Sequence, residues 1–181
     1  MTAPGRGPYN ARPEVDMGVN WADIVAIVLF VLVVLVEYAR GFLAALIDAA
    51  GISLGFVICK ALYGPAARAL HVLKSQPANE AFFFGLFFAI VVAVVFVLSH
   101  LARNAIALDL DVFDQPLGAL LGLWAGAYFV HGVMFAILLG AGGPSTPLGQ
   151  AIATSPVAGE FLYFTKLKGL YMRLVRWSRQ T

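Results

Sequence analysis

The chain has 181 residues, of which 61% are hydrophobic and 12% charged, with a formal net charge of +2 and a mean hydropathy of +0.85. Soluble domains carry about 25% charged residues, so a water-coated globule is excluded, and the 14 Phe, 3 Trp and 6 Tyr exclude a disordered chain. The composition is that of an integral membrane protein, and its single cysteine, Cys59, provides neither an internal disulfide nor a multi-thiolate metal site.

Residues 1–20 are rich in Pro, Gly and polar groups and predict a flexible tail. Residues 21–139 then hold four stretches long enough to cross a hydrocarbon core of about 30 Å as helices. The first, Trp21 to Tyr38, is followed after a very short link by the second, Gly41 to Leu62, which carries Asp48 and Lys60; the pair must form a tight antiparallel hairpin. A cleaved signal peptide competes for the first stretch, but the apolar run exits through Glu37 and Tyr38 rather than small residues, so an uncleaved anchor is expected. The third, Ala81 to Leu98, has no charge, and the fourth is Leu117 to Leu139.

Residues 140–160 read as a connector, because Gly140 to Pro147 (GAGGPSTP) must break the fourth helix. Residues 161–181 turn amphipathic. Tyr163, Leu167, Leu170, Tyr171 and Leu174 share one helical face, opposite Lys166, Lys168, Arg173, Arg176 and Arg179, which predicts a basic surface helix on anionic lipid. The fold class expected is therefore all-α and membrane-integral, with four transmembrane helices and a C-terminal basic amphipathic helix. Ten of the twelve Lys and Arg fall on one side of this topology and only Arg40 and Arg103 on the other, so both termini are expected in the cytoplasm.

Gly118, Gly122 and Gly126 line one face of the fourth span, and Gly51 and Gly55 repeat the device on the second. Pairing of these two glycine faces is the simplest expected core, within one chain or between subunits. Asp48 is the acidic group well inside a span and is the default functional candidate. It sits about 10 Å from the end of its helix, a depth that Trp124 shares and His131 does not. Trp124 is thus its expected partner, and these three residues form the candidate intramembrane polar site. Asp109, Asp111 and Asp114 form a weak cation signature, and Asp114 is better read as the N-cap of the fourth span. No phosphate loop, HExxH or nucleophile beside a base occurs, so neither an enzyme nor a cofactor is expected. The expected partners are anionic lipid and, left open, a second copy or other membrane or secretion proteins; nucleic acid is not among them.

Three pieces together resemble the colicin V production protein (CvpA) family: Asn20, Trp21 and Asp23 in NWADIVAI, then Arg40, Gly41 and Phe42, and the stretch DQPLGALLGLWAG opening at Asp114. The resemblance covers roughly residues 20–165. It implies a four-span protein of the bacterial inner membrane associated with colicin or microcin V production and export and with envelope maintenance, without a defined reaction. Gln115 and Ala125 stand where the family commonly has basic residues. Two functions follow as expectations: a non-enzymatic accessory or scaffold, or a small transporter or channel subunit that uses Asp48 in an oligomeric pore.

Overall fold

The structure, a computed structural model, describes residues 20–106 and 111–164. Four long helices dominate: α1 (Trp21–Arg40), α2 (Phe42–Ala69), α3 (Gln76–Ala105) and α4 (Asp114–Gly140). All four are long and apolar enough to cross a membrane. At about 1.5 Å per residue, α2 and α3 with 28 and 30 residues reach about 42 and 45 Å. They exceed the expected spans because helix persists past the apolar stretch that hydropathy detects.

The α1–α2 hairpin turns on one residue. Gly41 has φ +81°, and its N–H donates to Glu37 O at 2.9 Å, closing α1. A side chain there would overlap the Asp114 carboxylate, so glycine is needed for conformation and for space. The α2–α3 turn is held by Asn79, which is fully buried. Its Oδ1 accepts from Val72 and Leu73 N, and its Nδ2 donates to Ala67 O and Leu70 O at 2.7 and 2.8 Å.

Helix α4 is central, packing against α1, α2 and α3, whereas α1 and α3 make no substantial contact with each other. Phe56, Phe84 and Phe88 form one core cluster between α2, α3 and α4. Ala22, Ala26, Val130 and Met134 form the second, between α1 and α4. Outward faces are apolar instead of charged, as at Ile24, Val31, Leu54 and Val94, which suits lipid rather than water.

The two glycine faces do not pair with each other, contrary to expectation. Gly118, Gly122 and Gly126 receive α1: a Cβ on Gly118 would lie 2.6 Å from Glu37 O, one on Gly122 2.9 Å from Glu37 Cβ and one on Gly126 3.1 Å from Phe30. Gly51 and Gly55 instead receive Val95 and Val91 of α3. Each stripe admits a different neighbour, because α2 and α4 point their remaining faces at each other through aromatic rings such as Phe56 and Tyr128.

Gly140 ends α4 as expected, but the stretch read as a connector contains two short helices, α5 (Pro147–Ala153) and α6 (Ala158–Tyr163). Phe161 packs on Phe30 with ring centroids 5.1 Å apart, and Leu162 is buried in the α1–α4 cluster. Of the helix expected over residues 161–181, Phe161 to Tyr163 belong to α6, which ends with Phe164 in the left-handed region at φ +49°. Lys166, Lys168, Arg173, Arg176 and Arg179 lie outside the described residues, as do residues 1–19 of the N-terminal tail and Asp109.

Candidate functional site

At the hairpin end of the bundle, the last residue of α1 turns its side chain back into the protein. Arg40 Nη1 donates to Glu37 Oε1 at 3.3 Å and to Asp48 Oδ2, two turns into α2. Its Nη2 donates to Ser99 Oγ on α3, and the hydroxyl passes its own hydrogen to Phe96 O at 3.0 Å. The Phe96 ring lies beneath the guanidinium, 4.1 Å from Cζ to the centroid. Glu37 and Asp48 are 3% and 2% exposed. The planar fork of arginine suits this site, since one cation reaches both acids and a hydroxyl in fixed directions.

Two carboxylates thus share one cation in an apolar surround. Glu37 Oε2 and Asp48 Oδ1 are buried without a hydrogen-bond partner. Both residues line a cavity of about 260 Å³ between α1 and α3, whose other walls are apolar, with Leu32, Ile52 and Phe96 among them. Neither unpartnered oxygen is open to water, and the site contains no nucleophile beside a base.

Trp124, expected as the partner of Asp48, bonds elsewhere, and His131, expected at another depth, also has a partner of its own. Trp124 Nε1 donates to Ser53 Oγ at 2.9 Å, and Ser53 donates to Ala49 O at 2.6 Å. His131 Nδ1–H donates to Phe161 O at 2.7 Å and packs against Phe56, ring centroids 4.4 Å apart. Depth alone suggested Trp124, but the flexible Arg40 side chain reaches Asp48 first and satisfies a charge, which an indole N–H cannot. Glu37, Ser99 and Asn79 were not singled out from sequence; an acid three residues before Arg40 on one helix was the available signal for Glu37.

The motif aspartates act as caps across the fold. Asp114 opens α4 but does not cap it: its Oδ1 accepts from Phe42 N at 3.0 Å and so closes the start of α2. Asp23 does the same for α6. Its Oδ1 accepts from Val157 N at 2.8 Å, Ala158 N at 3.0 Å and the Ser155 hydroxyl. Asn20 caps α1 through Ala22 N at 3.2 Å and donates to Ala151 O, fastening α5 to the same end. Among the described residues, no group of three or more His, Cys, Asp or Glu could hold a metal ion.

Four apolar membrane-length helices closed by internal polar caps define a multi-pass helical membrane protein. The sequence profile described as "Colicin V production protein" matches residues 22–166, and the chain belongs to that family. No curated protein and no solved structure shows significant similarity to it.

Proposed function

We propose that this protein is a non-enzymatic accessory or scaffold of the bacterial cytoplasmic membrane that acts in colicin or microcin V production and secretion and in envelope homeostasis. Membership of the colicin V production protein family supports the link to colicin V production. The observation that carries the scaffold reading is the use made of the motif residues. Asp23, Gly41 and Asp114 are spent on satisfying backbone groups and closing turns, so the motif builds a shape rather than a reaction centre. The ten-to-two split of Lys and Arg supports a cytoplasmic position for both termini. The outward apolar faces leave helix surfaces for a second copy or another membrane protein, and the basic C-terminal stretch suits anionic lipid.

A pull-down in mild detergent with intact-mass measurement tests this reading. Stoichiometric co-purification of a membrane or secretion component supports it, and a bare monomer from toxin-producing cells overturns it. The rival transporter reading is motivated by the buried charges at Asp48. Cation flux in proteoliposomes that disappears in Asp48→Asn would replace the scaffold reading.

A further inference from the structure

Lys60 is a cation within the apolar part of α2, and no side chain supplies its counter-charge. Its Nζ lies over the Phe56 and Phe135 rings, 6.0 and 5.4 Å from their centroids, and no ion pair among the described residues involves Lys60 or Arg68. Ring contacts offset only part of the cost of a charge beside hydrocarbon. Lys60 and Arg68 are both exposed, and with about 3.6 residues per turn they lie within about 80° of each other around α2, with Gly64 between them. A Cβ on Gly64 would meet nothing within 4 Å, so the two cations flank an open notch. A core of about 30 Å takes about 20 residues counted from Phe42 and ends near Ala61, so the notch opens where the headgroup layer begins. Pro65 sits inside α2 and has no N–H to return to Ala61 O, and both residues are exposed. This stretch therefore lacks two things, a negative group and a hydrogen donor.

We propose that the notch between Lys60 and Arg68 seats one phospholipid with a negative, hydroxyl-bearing headgroup, of which phosphatidylglycerol is the simplest. Its phosphodiester meets the Lys60 ammonium and the Arg68 guanidinium, whose planar fork matches phosphate oxygens. A headgroup hydroxyl donates to Ala61 O, and an acyl chain runs along the exposed Val57 one turn deeper. The two basic residues are about 12 Å apart along the helix axis, a gap that two long side chains close around one phosphate. The seat is held in place from the end of the helix, because Asn79 fixes the turn that follows through Ala67 O and Leu70 O.

The test titrates the full-length protein in mild detergent with phosphatidylglycerol, phosphatidylethanol and phosphatidylcholine, and counts bound lipid by intact-mass measurement. Phosphatidylethanol keeps the negative phosphodiester without a headgroup hydroxyl, and phosphatidylcholine is zwitterionic. Phosphatidylglycerol should saturate at one lipid per chain and bind about fivefold more tightly than phosphatidylethanol, the worth of one neutral hydrogen bond. Phosphatidylcholine should bind weakest. Lys60→Gln should weaken phosphatidylglycerol binding about fivefold, the worth of one cation near lipid charge. Gly64→Leu keeps every charge but fills the notch, and it should abolish the saturable binding; the open surround of Gly64 lets the fold accept it. Lys74→Gln removes a cation from the turn beyond the notch and should change nothing. Phosphatidylethanol or phosphatidylcholine binding as tightly as phosphatidylglycerol overturns the proposal, and these comparisons need no variant. Unchanged binding in Gly64→Leu, or equal losses in Lys60→Gln and Lys74→Gln, also overturns it, since diffuse attraction to basic residues would then suffice.

Discussion

At the scale of the residue, Arg40 decides the energetics of the hairpin end. Removing one partner of a buried ion pair costs about 3–5 kcal/mol, because the remaining charge is stranded. Arg40→Met should therefore lower the thermal unfolding midpoint in detergent sharply. Combining it with Glu37→Gln and Asp48→Asn should recover most of the loss, since no buried charge then remains. A triple variant no more stable than Arg40→Met would show that the contacts of the arginine with Phe96 and Ser99 matter more than charge. Asp114→Ala should cost about 1–2 kcal/mol through the lost cap on α2, and Asp114→Asn, which keeps the acceptor for Phe42 N, should cost less. The same thermal assay checks both.

At the scale of the element, the glycine stripe of α4 and the re-entrant α6 make separate predictions. Gly122→Leu should detach α1, because its Cβ alone would meet Glu37 Cβ at 2.9 Å and the leucine methyls would force the helices apart. Gly85→Ala is the matched control, since nothing lies within 4 Å of its position. Reduced accumulation of the first and wild-type accumulation of the second is the expected result on a membrane immunoblot.

Helix α6 starts at Asp23 and runs beside α1 to Phe30, about 14 Å from the start of that helix. Its irregular approach, Thr154 to Val157, is tolerated there because Asp23 and Ser155 satisfy the freed N–H groups. Asp23→Ala removes three hydrogen bonds and should release α6 at a cost of about 2–3 kcal/mol. Hydrogen exchange should accelerate across residues 157–163 while α3 stays protected; unchanged protection would mean that packing of Phe161 and Leu162 suffices to hold it.

At the scale of the whole molecule, the proposed orientation places Arg40, Asp114 and the cavity toward the outer face and Asn79, Asn20 and α5 toward the cytoplasm. A reporter active only outside the membrane should be active when inserted at residue 108 and silent when fused after Thr181. The reverse pattern would invert the orientation, and activity at both sites would change the number of crossings.

The membrane class, the four helices and their order, the break at Gly140 and the family motif were legible in the sequence, because each depends on local composition and on hydropathy summed along one helix. Which faces meet and which charges pair depends instead on how the four helices pack together. Asp114 and Phe42 are 72 residues apart in the chain, and Asp23 and Ala158 are 135 apart. A carboxylate in a span must find a donor, but the span does not specify which one. Arg40 lies at a helix end that reads as an outward-facing flank, and it reaches Asp48 only because Gly41 reverses the chain beside it. The glycine stripes announced close packing in the same local way. Their partners were set by α4 occupying the centre, with α1 and α3 on separate sides, an arrangement fixed by the packing of all four helices together.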